Sequence, residues 1–266
     1  MSAAPRVPPV PAVLRLVQTV ALGRWRESGE ALFREVAELL EADSGREVLV
    51  SGCGDGVTTE WLAGRGLIVT GVDASPTAIE RAEAHARIAE EPLSVSYEQS
   101  ALDDLPHEDA VFSAAVGEPL LSAADSPARA VAELSRVTKP MGPVVLLQVT
   151  WSADLSDEAR EMLVERLGLR PHLLIEWKQM MRDAGLVDIQ VQDWTDVGAA
   201  ARGEEASLTW QQKMHIVGNA WRRWGWKGAR GAVEREKTLL KELGRERALG
   251  FQLLKGIKWP HQREDG

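Results

Sequence analysis

The sequence predicts an α/β domain organised as a doubly wound parallel sheet, on three observations. A β-branched run, Val48-Leu49-Val50, breaks into Ser51-Gly52-Cys53-Gly54-Asp55-Gly56. A second apolar stretch over residues 67–72 ends on the acid Asp73. Strand-like and helix-like segments then keep alternating as far as Trp151, the pattern of strands joined by crossover helices. A continuous apolar run is what a strand buried on both faces requires. Alternating glycines at its end allow a tight turn whose backbone a partner can approach closely.

The elements read in order as follows. Residues 1–11 are Pro-rich and read as a disordered tail, and helical periodicity runs over 12–22 and 27–41, within an N-terminal helical region of 12–43. Strand 47–50, the glycine turn and a helix over 57–63 come next. After the strand ending at Asp73, Ser75-Pro76 makes an N-cap and first-turn pair for a helix to about residue 89. Strands are expected at 94–98, 110–116 and 144–151, with a helix over 126–138 stopped by Pro140 and Gly142. Helices at 156–167 and 174–184, a strand at 187–194, a mostly helical 208–243 and a last strand at 250–258 complete the chain.

Composition narrows the function. At 266 residues the chain suits one large domain with an appended cap. A net charge of -9 opposes a nucleic-acid partner. Charge is locally reversed between Trp221 and Lys258, with 11 Lys or Arg against 4 Glu, which suits an anionic substrate, a partner or a lipid headgroup, or else a solvated helix face. The single cysteine, Cys53, precludes an internal disulfide, and no early segment has the apolar core of a signal peptide; a cytoplasmic location is expected.

The glycine turn opening a helix is a cradle for a nucleotide-type cofactor. Bare N–H groups and the helix's positive end, worth about half a unit charge, face an anionic group, while the acid at the next strand's tip takes ribose hydroxyls. A dinucleotide fingerprint wants Gly or Ala at its sixth place, and this chain has Val57 there. S-adenosylmethionine (SAM) is therefore preferred to a nicotinamide, the remaining alternative being a glycine turn that binds nothing.

Five segments carry a family resemblance: VLVSGCGDG at 48–56, VTGVDASPTAIERA at 69–82, DLPHEDAVFSAAV at 104–116, SPARAVAELSRVTKPMGPVVLL at 126–147 and EWKQMMRDAGLVDIQVQDW at 176–194. Over close to half its length the chain resembles the class I SAM-dependent methyltransferases, in particular the broad type 11 group that includes quinone methyltransferases. The resemblance implies a Rossmann-like seven-stranded sheet with its last strand antiparallel, a SAM-binding core at 47–150, a helical cap from the N-terminal helices, 151–175 and 195–249, and a sheet completed by 176–194 and 250–259. It implies Gly52, Cys53 and Gly54 against the methionine part of SAM, with Ser51 and Gly56 in the same turn. Asp73 then holds the ribose, Ala74 lies beside the adenine, and Ala101 and Leu102 line its other side. Gly117 and Glu118 fall beside the sulfonium and face the reaction centre. Acids that the family often carries are replaced by Val50 and Ala101, for which Ser51, Asp55, Asp103 or Glu118 could compensate.

Methyl transfer from a sulfonium is mainly a positioning problem, because the donor is already activated. Candidate general bases are His172, His215 and Glu118; for each histidine a hydrogen-bonded or surface role is the alternative. His107, His85 and His261 rank lower, and no residue set has metal-ligand spacing. Ten Trp against one Tyr and three Phe, concentrated in the later half, suit walls for an apolar, aromatic or cationic acceptor, or core packing. Trp221-Arg222-Arg223-Trp224 also permits membrane-surface contact. The reading is thus a SAM-dependent methyltransferase of a small molecule. A non-catalytic SAM-fold binding protein, a nicotinamide oxidoreductase and a membrane-surface lipid or quinone methyltransferase are its rivals. The acceptor, the methylated atom and the oligomeric state are not specified by the sequence.

Overall fold

The computed structural model describes residues 24–88, 92–152, 155–167, 170–195 and 248–260, together with positions 221, 226, 227 and 230. The expected tail, the helix at 12–22, the helical stretch at 208–243, His215 and His261 lie outside the described residues or are represented there only by those four positions.

Eight strands form one sheet: β1 (Glu47–Ser51), β2 (Ile68–Asp73), β3 (Val95–Gln99), β4 (Ala114–Gly117), β5 (Pro143–Trp151), β6 (His172–Leu173), β7 (Leu186–Asp193) and β8 (Leu249–Lys258). Their order is β3-β2-β1-β4-β5-β8-β7, with the two-residue β6 beside β5 off that path. β3, β2, β1, β4 and β5 are mutually parallel, and β8 runs antiparallel to both β5 and β7. This is the seven-stranded arrangement with an antiparallel last strand, with β6 as an addition that sequence reading did not anticipate.

The helices are α1 (Arg24–Leu40), α2 (Val57–Ala63), α3 (Pro76–Arg87), α4 (Pro127–Val137), α5 (Asp157–Leu167) and α6 (Leu174–Asp183), and a 3₁₀ turn spans Pro119–Ala123. Ser75 and Ser126 begin α3 and α4 as N-caps: their hydroxyls accept from the N–H of Ala78 and Arg129, both at 3.3 Å, and a proline with its fixed φ follows each.

Two apolar clusters lie on opposite faces of the sheet. One joins Leu32, Phe33, Val36 and Leu40 of α1, Leu62 of α2 and Leu163 of α5 to Val48, Val50, Val145 and Leu147. The other joins Val131 and Leu134 of α4 and Trp177 and Met181 of α6 to Leu49, Ala115, Val144 and Leu146. Alternate residues of β1, β4 and β5 divide between the clusters, the period of two that a strand covered on both faces must show.

One strand is shorter than expected. Residues 110–113 do not join β4: Ala110 adopts a positive φ of 57°, its N–H donates to the carbonyl of Arg136 at 3.0 Å, and Phe112 bridges to Thr138 instead. The apolar run is real, but its backbone is pinned to the end of α4.

Arg136 organises this approach. Its Nε and Nη2 donate to the two oxygens of Glu133, each at 2.7 Å, and Nη1 donates to Asp109 at 2.8 Å and to the carbonyl of His107 at 2.7 Å. Nη2 also reaches the carbonyl of Leu105 at 3.1 Å, while Glu133 accepts from the N–H of Leu105 at 2.8 Å. The guanidinium holds the Glu133 carboxyl below the usual carboxylate range.

Candidate cofactor and active site

The carboxyl end of β1 is a turn made by three glycines at positive φ: Gly52 at 76°, Gly54 at 55° and Gly56 at 82°. The N–H groups of Gly52 and Cys53 both donate to the carbonyl of Val72, at 2.8 and 3.0 Å, locking the turn onto β2. Gly54 donates its N–H to Asp73 Oδ2 at 2.9 Å, and Ser75 donates to Oδ1 at 2.8 Å. The turn and the acid are therefore one hydrogen-bonded unit.

Asp73 is 3% exposed. Burial pushes its carboxyl above the usual range, and the N–H donors of Ser75 and Gly54 partly restore its acidity. Each oxygen accepts one backbone N–H, which leaves lone pairs for further donors. Burial, and then the negative charges of Asp73, Glu118 and Asp55, push the Cys53 thiol up, so it is held protonated.

The space over Gly52 is bounded from the β4 side. A Cβ built there lies 3.1 Å from Leu120 Cβ, 3.7 Å from Glu118 Cβ and 3.7 Å from Leu102 Cδ1. Glu118, at 2% exposure, follows β4, and its N–H donates to the carbonyl of Ser51 at 2.9 Å. Gln148 Nε2 donates to the carbonyls of Gly117 and Glu118 at 3.2 and 3.0 Å. Gly117 is also a packing position. A Cβ there would strike Leu146, Leu121 and Leu134 at 2.7, 2.8 and 2.9 Å, because this glycine admits α4 packing, and only its backbone edge borders the turn.

The structure thus groups Ser51, Gly52, Cys53, Gly54, Gly56, Asp73, Leu102, Gly117 and Glu118 at the carboxyl ends of β1, β2 and β4. Ala74 and Ala101 follow β2 and β3 and are exposed. Val50 is fully buried in the first apolar cluster, so an acid at that position would displace core packing.

Thr58 and Thr59 went unnoticed in the sequence. Their hydroxyls, like that of the expected Ser51, are buried and have no hydrogen-bond partner. Two adjacent threonines one residue beyond a glycine turn were the available signal. Arg81 Nε donates to Asp55 Oδ1 at 3.4 Å, and His85 Nδ1 lies 3.5 Å from the Asp55 carbonyl, so α3 braces the turn from outside. Tyr97 Oη donates to the Gly56 carbonyl at 3.5 Å and lies 2.2 Å from where a Gly56 Cβ would stand.

The histidines separate. His107 packs edge-on against Phe112 at 5.0 Å, with its Nε2 3.7 Å from Glu98 Oε2. His172 lies in β6, paired with Thr150 near the carboxyl end of β5; its Nδ1 is 3.5 Å from Glu176 Oε2 and its ring meets Trp177 edge-on at 5.4 Å. Among the described residues no cluster of His, Cys, Asp and Glu is fit to hold a metal ion, and no described helix is long and apolar enough to cross a membrane.

A parallel sheet with an antiparallel last strand, glycines at the tip of β1 and a carboxylate at the tip of β2 define the class I SAM-dependent methyltransferase fold. Residues 49–146 match a family model described as a methyltransferase domain. Among curated relatives, a ubiquinone biosynthesis O-methyltransferase of Alkalilimnicola ehrlichii is 32% identical over 158 residues, which cover 57% of this chain and 61% of the relative. The chain thus spans less than two thirds of that relative's length. Among solved structures, the [4+2]-cyclase SpnF is 25% identical with a TM-score of 0.68, covering 88% of this chain and 83% of the other. Haemonchus contortus phosphoethanolamine N-methyltransferase 2 in complex with SAM shares the fold at 17% identity, with a TM-score of 0.73 over 86% of this chain and 53% of the other.

Proposed function

We propose that this protein transfers a methyl group from SAM to a small molecule. The observation that carries the reading is the Gly52–Gly56 turn tied to Asp73 through the Gly54 N–H. The residues present fit the cofactor: bare backbone lies opposite Leu102, Glu118 and Leu120, and a desolvated carboxylate with spare lone pairs stands one strand over. The family match over 49–146 and the O-methyltransferase relative support it.

SAM, when bound, supplies a methyl group on a positively charged sulfur that departs as a neutral thioether. Ionised Asp73 accepts hydrogen bonds from the ribose hydroxyls. Gly52, Cys53, Gly54 and Gly56 admit the methionine portion along their backbone, with the hydroxyls of Ser51, Thr58 and Thr59 as further contacts. Glu118 places negative charge beside that cationic end and takes over from the acid missing at Val50. Ala74, Ala101 and Leu102 border the adenine. Near-attack positioning is worth about 7–11 kcal/mol, so no residue has to carry a proton for catalysis to proceed.

A second reading, a SAM-fold protein that does not transfer methyl groups, draws on Leu120 standing close over Gly52 and on the likeness to the [4+2]-cyclase SpnF. Calorimetric titration with SAM and with S-adenosylhomocysteine tests the cofactor assignment. Saturable binding of both is the expected result, and absence of binding at millimolar concentration overturns it. Release of S-adenosylhomocysteine in the presence of candidate acceptors then distinguishes the two readings.

A further inference from the structure

Beyond the cradle, the face of the sheet that carries α4 and α6 turns polar toward the carboxyl end of β5. Gln148 and Thr150 follow Val144 and Leu146 on that face, and antiparallel pairing sets Gln252 beside Gln148 and Gly250 beside Thr150. On the other edge of β5, parallel pairing sets His172 beside Thr150. Residues in register project to the same face, so these positions form one row.

The row contains buried atoms with nothing to bond. Gln148 Oε1, Gln252 Oε1 and His172 Nε2 have no hydrogen-bond partner; Gln148 is fully buried and Gln252 is 7% exposed. The Gln148 amide cannot be turned to relieve this, because its Nε2 already donates to two carbonyls. Gly250 lets the polar groups of the row converge: a Cβ there would stand 2.7 Å from Ser152 Oγ, 2.9 Å from Thr150 Oγ1 and 3.1 Å from Gln252 Nε2, so only a residue without a side chain fits among them. Interior polar atoms are almost always paired, and groups left over mark a place where a water or ligand completes the set.

From this row we infer that Gln148, Gln252 and His172 form the recognition rail for the methyl acceptor, which is an uncharged molecule bearing at least two hydroxyl or N–H donors. The inference rests on the methyl-transfer reading. The rail starts at the cradle, since Gln148 bonds the carbonyls of Gly117 and Glu118, and extends about 7 Å further, two strand residues, to the level of His172. That offset makes His172 a contact for the far end of the acceptor and not the base at the methylated atom. Both glutamine oxygens can only accept, so they select donors. The rail positions themselves carry no Lys or Arg, so a phosphate-bearing acceptor finds no counter-charge among them.

The test uses the full chain saturated with S-adenosylhomocysteine and titrated with catechol, whose adjacent hydroxyls match the paired glutamine oxygens, and separately with inorganic pyrophosphate. Intrinsic tryptophan fluorescence or calorimetry reads binding. Catechol should bind saturably and pyrophosphate should not. Gln252→Leu and His172→Phe should each weaken catechol about two- to twelvefold, the range for one lost hydrogen bond, with S-adenosylhomocysteine affinity unchanged as the control for folding. Cofactor-product binding without catechol binding, a preference for pyrophosphate, or variants that leave catechol unaffected would each overturn the rail alone. Failure of the unmodified chain to bind S-adenosylhomocysteine would sink the methyl-transfer reading, and the rail with it.

Discussion

The turn after β1 and the approach to β4 are both irregular segments bordering the sheet, yet they are shaped by opposite means. The turn is shaped by missing side chains: three glycines at positive φ let backbone donate directly to Val72 and Asp73. The approach through residues 105–113 is shaped by one large side chain, Arg136, which gathers Glu133, Asp109 and two carbonyls around a single guanidinium. A geometry made by absence tolerates no added atom, whereas one made by presence fails when its centre is removed. Their carboxylates also answer pH in opposite directions, burial raising Asp73 and Arg136 lowering Glu133.

The largest effect is expected from Gly52→Val. A β-branched residue is strained at a φ of 76° and meets Leu120 Cβ. SAM binding should disappear from calorimetry and stability in urea should fall by about 1–3 kcal/mol; retention of wild-type affinity would show that the turn does not carry the cofactor. Arg136→Met should cost about 2–3 kcal/mol, mainly because Glu133 and the carbonyls lose their donor, with SAM affinity changed far less. A destabilisation below about 0.5 kcal/mol, the range of ordinary surface substitutions, would show the staple to be incidental.

Next in size is the pH response of Asp73→Asn. A raised folded-state pKa means that protonated Asp73 favours folding, a contribution fully present below the unfolded pKa and lost as pH rises through the folded one. SAM binding should show the reverse trend, since ribose hydroxyls need the ionised acid: wild-type affinity should rise with pH from the acid side, and the Asn variant should bind about 10-fold more weakly without that trend. An unchanged trend in the variant would remove Asp73 from the assignment. The Glu133 side of the comparison has the opposite sign. Its lowered pKa contributes stability above the unfolded value, near pH 4.3, that is lost as pH falls through the folded one, and Arg136→Met should flatten that acid slope. The smallest effect is at Cys53, whose neutral, buried thiol should resist alkylation at pH 8 until the protein is unfolded, as mass spectrometry would show.

How far each region could be read from sequence follows from the same contrast. Glycines spaced two apart after a β-branched run, with an acid ending the next strand, are short-range signals, so β1, β2, the glycine turn and the acid beside it were legible. The capping serine and following proline at 75–76 are equally local, and α3 begins where they predict. Arg136 bonds to groups 27–31 residues away, and nothing local distinguishes it from any helix-end arginine; hence residues 110–113 read as strand. The packing constraint at Gly117 was not legible, since only the fold shows Leu121, Leu134 and Leu146 converging on it. Tryptophan counts were ambiguous for the same cause: Trp177 is buried in a core cluster, whereas Trp221, Trp226 and Trp259 are exposed.

The sheet order has a consequence for how the chain is made. β5, buried at every position, waits for β8 to cover one of its edges, and β8 is encoded 98 residues after β5 ends. At ribosomal speed that is about 5–20 s during which a row of unpaired backbone N–H and C=O groups emerges without its mate. A chain stopped before residue 249 therefore leaves that side of β5 without the strand that pairs with it along its whole length.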